Sequence, residues 1–168
     1  SDNKERSFAM SLGIQHFCWG FQDVTARAQD PHTAIGTTEY CRQHGGCGVT
    51  LECGYKHDEA STASIGRQAI INALDHLGMI RKGIQNVSRE TFQEHHFVKL
   101  EKSVLKEKPG DFIQDWKHLD PLSKGDVIAC YNGGEEIRAD QDSYIIMPDK
   151  NAMTGDNWFY LGVKKAPV

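Results

Sequence analysis

The segment that decides the fold reads Gly48-Val49-Thr50-Leu51-Glu52-Cys53-Gly54, a short apolar run that ends in a carboxylate. A continuous apolar run of this length predicts a strand that is buried on both faces of a parallel sheet. Open α/β sheets place their chemistry at the carboxyl ends of such strands. Because a buried carboxylate is costly unless it is paired or used, Glu52 is a candidate general base. The alternative is an ordinary strand-end acid that faces water.

Helices are predicted on both sides of this run. Asp30-Pro31-His32 is typical of a helix start, and that helix should end near Gln43. A second helix is predicted from Glu59 to Ile80, and a short one over residues 7–12. Apolar residues of the second helix recur at spacings of three and four and should face a sheet: Ala69, Ile70, Ala73, Leu74, Leu77 and Ile80. Residues 1–88 therefore predict an α/β layer.

The second half of the chain has a different texture. Short β-like runs cover residues 97–105, 126–131, 143–147 and 158–163, and glycine- or proline-containing turns separate them. This pattern predicts a small, all-β, sandwich-like domain over residues 89–168. The boundary between the two domains is expected near Val87-Ser88-Arg89.

Composition limits the classes of partner. The 168 residues carry a net charge of −4, with 39% hydrophobic and 25% charged residues, which is typical of a soluble globular protein. We therefore expect no nucleic-acid partner and no membrane partner. The five cysteines show no two-residue gap that would suit a zinc knuckle or a redox motif. Buried free thiols in the cytoplasm are the expectation.

With these residues in view, the chain resembles the succinylglutamate desuccinylase/aspartoacylase family. The segment 48–54 is similar to the family's catalytic-glutamate strand, and Glu39-Tyr40-Cys41-Arg42 is similar to the helix end before it. The segments 122–128 and 144–148 are similar to the family's C-terminal β-domain. The resemblance implies the C-terminal part of a zinc-carboxypeptidase-like α/β domain, followed by a small β-sandwich-like domain.

The resemblance also implies a reaction, which is the zinc-dependent hydrolysis of an N-acyl amide bond in a small molecule such as an N-acyl amino acid. In this reading Glu52 is the general base and Arg42 binds a substrate carboxylate. His57, in the loop after the strand, and Tyr160, from the β-domain, would contribute to substrate binding. The alternatives are a solvated Arg42, a surface His57 and a Tyr160 that packs in the core. A homo-oligomer is compatible with this reading.

The family's zinc ligands are not visible in this sequence. The family holds zinc with a His-x-x-Glu pair and a later histidine, but none of the eight histidines here has a glutamate three residues downstream. The adjacent His95 and His96 should point to opposite faces of a strand, so we expect surface residues rather than a metal site. We therefore predict no metal ligands in this chain. The zinc of the full-length enzyme would be bound by a preceding half, and this chain alone would be inactive.

Two other functions remain open. Zinc carboxypeptidases also use a strand-end glutamate, although a basic residue usually follows it, whereas Cys53 follows here. A non-enzymatic binding or carrier module built on the β-half is the third hypothesis. In that case Lys150, in the segment Met147–Met153, would be the acylated lysine.

Overall fold

The computed structural model describes residues 2–24, 36–54, 59–80 and 94–166, and helices and strands both occur in these ranges. The helices are α1 (Asp2–Ser11), α2 (Phe21–Val24), α3 (Thr37–Gln43) and α4 (Glu59–His76). The strands are β1 (His16–Trp19), β2 (His96–Leu105), β3 (Gly110–Phe112), β4 (Pro121–Leu122), β5 (Val127–Tyr131), β6 (Glu136–Arg138), β7 (Ser143–Ile146) and β8 (Asn157–Lys164). The prediction of a mixed α/β chain is confirmed. Within the described ranges, no helix is long and apolar enough to cross a bilayer.

The chain divides into two compact units. The described part of unit 1 comprises residues 2–17, 36–54, 59–80 and 94–96, and that of unit 2 comprises residues 18–24 and 97–166. The domain boundary predicted at residues 87–89 lies outside the described residues, as does the helix start predicted at residues 30–32. Because the one-turn helix α2 belongs to unit 2, the finer description of a small all-β domain stays a prediction.

Unit 2 contains the strands that the sequence predicts. Its larger sheet has the order β1-β2-β8-β7-β4, and a second sheet has the order β3-β5-β6. The predicted strands at 97–105, 126–131, 143–147 and 158–163 correspond to β2, β5, β7 and β8, and each boundary agrees within one residue. The pairings of β8 with β2 and with β7 are antiparallel. Glycine- and proline-containing turns marked these strands correctly because they interrupt the ladder wherever the chain reverses.

The core of unit 2 is built around β8. Trp158 and Phe159 are fully buried, together with Ile145 from the neighbouring strand β7 and Ile128 from β5 of the second sheet. Gly162 allows β2 to lie close, since a Cβ at this position would be 2.6 Å from Cγ1 of Val98 and 2.8 Å from a backbone oxygen. Glycine is therefore required here for packing rather than for backbone conformation.

The long helix of unit 1 begins where predicted and ends early. α4 begins at Glu59, as the sequence indicates, but it ends at His76 and not at Ile80. The N–H of Gly78 bonds to the carbonyl of Asp75, and the N–H of Met79 bonds to that of Leu74. Gly78 has φ +68°, so these bonds form a glycine-terminated Schellman motif, which stops the helix.

The apolar stripe predicted on α4 does not cover a sheet. Ile70 and Leu77 are 61% and 59% exposed, and the buried residues of α4 are Ala69 and Asn72. α4 packs instead against α1, and the Asn72 side chain donates a hydrogen bond to the Leu12 carbonyl (3.0 Å). The prediction fails because none of the described residues between 36 and 80 is in a strand, so the stripe has no sheet beside it there.

The strand predicted over residues 48–53 is also wrong. Residues 46–54 are neither helix nor strand. A strand needs a neighbouring strand to complete its hydrogen-bond ladder, and no described strand pairs with this segment. The apolar run signalled burial, but it could not supply the partner that a strand requires.

Candidate functional site

Glu52 lies on an irregular segment with alternating exposure. Val49, Leu51 and Cys53 are half-buried, whereas Thr50 and Glu52 are exposed. A period of two is the exposure pattern of an extended chain that lies on a surface. The expected burial on both faces is therefore absent, and the Glu52 carboxylate is presented to solvent.

Arg42, near the end of α3, holds a carboxylate from within its own unit. Its Nε donates to both carboxylate oxygens of Glu5 (2.8 and 3.0 Å), and its Nη2 donates to Oε1 of Glu5 (2.8 Å). Nη1 makes a longer contact with Glu39, at 3.5 Å. These bonds raise the pKa of the Arg42 guanidinium, with hydrogen bonding to Glu5 the largest cause. The predicted binder of a substrate carboxylate is thus an arginine whose fork is already paired.

The same pair holds the beginning of the Glu52 segment. Nη2 of Arg42 donates to the Gly48 carbonyl at 2.6 Å, and the Gly48 N–H donates to Oε2 of Glu5 at 3.2 Å. Gly48 is buried, and a Cβ there would lie 2.8 Å from both Cα and the carbonyl oxygen of Thr38 in α3. No sequence pattern indicates a role for Glu5, because it lies 37 residues before Arg42 and belongs to no motif.

The other two predicted site residues are His57 and Tyr160. His57 lies outside the described residues. Tyr160 is on β8, in unit 2, where its ring meets that of Phe21 edge-on at a centroid distance of 5.4 Å. Arg42 and Glu52 both belong to unit 1, and Gly48 connects Arg42 to the segment that carries Glu52.

Three of the cysteines lie along this region. The Cys41 thiol donates to the carbonyl of Cys47 at 3.1 Å, and Sγ of Cys53 is 3.5 Å from the Cβ position of Gly66 in α4. All five cysteines of the chain are free thiols, as predicted, but they are half-buried rather than fully buried. Burial raises the pKa of the Cys18 thiol to about 11.

The adjacent histidines His95 and His96, at the start of β2, have separate partners. The His96 ring stacks on His16 with centroids 5.2 Å apart, and the His95 ring contacts Phe17 at 5.6 Å. Both are half-buried beside β1, so they are less exposed than the expectation of surface residues implied. Burial, followed by repulsion from His96, lowers the pKa of His16.

Unit 2 contains an open cleft of about 530 Å³. Its lining includes Phe112, Trp116 and Lys150. Lys150 is exposed, as the acylated lysine of a carrier module would have to be.

Solved structures, and not sequence relatives, are similar to this chain. No protein-family model matches the chain, and no curated protein matches it either. Solved structures do match. The ectoine utilization protein EutE (DoeB) from Ruegeria pomeroyi superposes on 96% of this chain and 49% of its own, with a TM-score of 0.67 and 18% identity. A succinylglutamate desuccinylase/aspartoacylase from Rhodobacter sphaeroides covers 98% of this chain and 50% of its own (TM-score 0.65, 13% identity). An aspartoacylase family protein from Mesorhizobium loti covers 98% and 48% (TM-score 0.61, 17% identity).

The chain has the fold of about half of a succinylglutamate desuccinylase/aspartoacylase structure. The resemblance predicted from the sequence is therefore confirmed at the level of the fold. Identities of 13–18% show the fold alone. The chain spans about half the length of the solved structures it matches, a coverage that agrees with the predicted C-terminal portion.

Proposed function

We propose that this chain is the C-terminal part of a hydrolase that cleaves an N-acyl amide bond, with Glu52 as its general base. The observation that carries the proposal is the structural similarity, over 98% of the chain, to proteins named desuccinylase and aspartoacylase. Such names describe the removal of an acyl group from an amino acid. The proposed substrate class is therefore an N-acyl amino acid.

Glu52 has the exposure that its proposed role needs. An exposed carboxylate can take a proton from the water molecule that attacks the amide carbonyl. The hydroxide then bonds to the carbonyl carbon, the C–N bond breaks, and Glu52 returns the proton to the leaving amine. A carboxylate can perform both transfers because the same oxygen accepts and then donates the proton.

The described residues do not fit the zinc ion that the resemblance implies. Within them, no three His, Cys, Asp or Glu side chains come together in an arrangement that could hold a metal. Zinc in catalytic sites takes three protein ligands. In the proposed enzyme, the metal would thus be held by residues outside the described part of this chain, and no step is assigned to it here.

Arg42 is proposed to meet the substrate carboxylate through Nη1. Nε and Nη2 are held by Glu5 and Gly48 at 2.6–3.0 Å, whereas the Nη1 contact with Glu39, at 3.5 Å, is the longest. A substrate carboxylate could replace that contact without displacing Glu5. Tyr160 and His57 remain proposed contributors to substrate binding.

The test compares Glu52→Gln with Glu59→Gln in the full-length gene product that contains this sequence. N-succinylglutamate and an N-acylaspartate serve as probe substrates. Glutamine keeps the shape of Glu52 and removes its basicity, so kcat should fall by about 10²–10⁴. Glu59, an exposed acid in the first turn of α4, provides the matched control and should leave kcat unchanged. A near-normal kcat in Glu52→Gln would remove the proposal.

A carrier module is the second candidate, and the exposure of Lys150 is the observation that favours it. An acylated Lys150 would add the mass of the acyl group to the intact protein. Mass spectrometry of the protein purified from its own host decides this alternative. The carrier hypothesis is rejected if the intact protein has its unmodified mass and Lys150→Arg retains full function.

A further inference from the structure

Gly48 has both of its backbone polar groups bound by one ion pair. Its N–H donates to Glu5 at 3.2 Å, and its carbonyl accepts from Arg42 at 2.6 Å. A glycine offers no side chain for packing, so these two bonds and its close fit against Thr38 fix its place. Because they involve opposite sides of the same residue, they restrain its orientation as well as its position.

The ion pair itself is rigid. Arg42 binds Glu5 through two nitrogens and both carboxylate oxygens, a fork-to-fork geometry that restricts both side chains. The side chains of Arg42 and Glu5 are 36% and 24% exposed, so each is partly shielded from water. A partly shielded, bidentate pair holds its partners in place better than a fully exposed single contact does.

The segment between Gly48 and Cys53 is bound at its first residue and borders α4 at its last. Gly48 is held by the ion pair and α3, and Cys53 lies against Gly66 of α4. Thr50 and Glu52, which are exposed, lie between these two points. No described strand pairs with this segment, so among the described contacts the bonds at Gly48 hold the end from which the chain leads to Glu52.

We propose that Glu5 and Arg42 form a clamp on the Gly48 peptide, and that this clamp positions Glu52 for the hydrolysis proposed above. Glu5 is a positioning residue in this scheme, and it does not touch the substrate. The inference rests on the proposed function, since it assigns Glu5 a part in the same reaction. A competing interpretation is that Glu5 occupies the place of a substrate carboxylate on Arg42 and leaves when substrate binds.

The two interpretations predict opposite kinetics for Glu5→Gln in the full-length gene product. Glutamine keeps an acceptor for the Gly48 N–H but loses the charged fork. If the clamp positions Glu52, kcat should fall by about 10- to 10²-fold with KM nearly unchanged, since a shift near 1 Å costs about that much. If Glu5 competes with substrate, KM should fall and kcat should hold, and that result would overturn the proposal.

Amide hydrogen exchange on the substrate-free protein provides a readout that needs no activity. In Glu5→Gln the amides of residues 48–52 should exchange at least about tenfold faster, while those of α4 stay unchanged. Unchanged exchange at residues 48–52 overturns the clamp. Faster exchange with an unchanged kcat overturns its positioning role.

A second single variant and a double-mutant cycle complete the experiment. If Glu5→Gln does not fold, Arg42→Lys keeps the charge and removes the fork, and it should show the same exchange and the same fall in kcat. Its KM should rise as well, since Arg42 is also the proposed contact of the substrate carboxylate. The double variant should lose no more kcat than the worse of the two single variants, since both changes remove the same clamp. Additive losses in kcat overturn the proposal. Retained kcat in Glu52→Gln would instead reject the proposed function, and exchange would still decide whether the clamp exists.

Discussion

Gly48→Ala should move the segment that carries Glu52. The added Cβ would lie 2.8 Å from Cα and from the carbonyl oxygen of Thr38, and 3.0 Å from its Cβ. Carbon contacts are ordinarily about 3.5–4.0 Å, so the segment and α3 must separate by roughly 0.7–1.2 Å. Both of the nearest atoms belong to the backbone of α3, which cannot relieve the contact by a change of rotamer as a side chain can.

The expected cost follows from this separation. Overpacking of this kind destabilises by about 1–3 kcal/mol. For a chain of this length, each kcal/mol lowers Tm by about 2–4 °C, so Tm should fall by about 2–12 °C. In the full-length gene product kcat should fall by on the order of 10²-fold, because Glu52 lies on the displaced segment.

Gly66→Ala is the matched control. Its Cβ would lie 3.5 Å from Sγ of Cys53, which is an ordinary contact, and Gly66 is inside α4. Alanine in a helix interior is about 0.5–1 kcal/mol more stable than glycine, so Tm should rise by about 1–4 °C. Thermal unfolding followed by circular dichroism measures both changes. An unchanged Tm in Gly48→Ala, or a fall in Gly66→Ala as large, would refute the reasoning.

Two further predictions concern unit 2. Gly162→Ala should destabilise the chain by about 1–3 kcal/mol, because its Cβ would meet Val98 at 2.6 Å; Gly133→Ala, which meets nothing within 4 Å, should be nearly neutral in the same denaturant titration. The Cys18 thiol has its pKa raised by burial to about 11 from 9.0, so the folded chain keeps its proton where the unfolded chain loses it. Stability should therefore fall as pH rises from about 9 to 11, and Cys18→Ser should flatten that slope. Alkylation of Cys18 at pH 8 as fast as that of a free thiol would contradict the prediction for Cys18.

The sequence located the candidate general base and most of the regular elements. Strands β2, β5, β7 and β8 were predicted because turn residues interrupt alternating apolar runs, and both signals are local. The start of α4 at Glu59 was predicted from another local signal, the apolar residues that recur at spacings of three and four. Its end was not, because Gly78 and Met79 stop the helix through backbone bonds that no stripe of apolar residues indicates.

The segment around Glu52 shows where local signals are insufficient. The apolar run of residues 48–53 indicated a strand, but strand formation also requires a neighbouring ladder. The stripe on α4 indicated a covered face, but α4 contacts α1 instead of a sheet. Each prediction depended on a partner that the pattern within one segment cannot identify.

The sequence alone determined strands β2, β5, β7 and β8 and the start of α4, and it singled out Glu52 and Arg42 as candidate site residues. Only the tertiary structure decided that Arg42 pairs with Glu5 and that the two bind the same glycine. The physical reason is the separation along the sequence of the residues that interact. Helix and strand patterns arise from neighbours a few residues apart, whereas the Glu5–Arg42 contact joins side chains 37 residues apart and forms only when the chain folds.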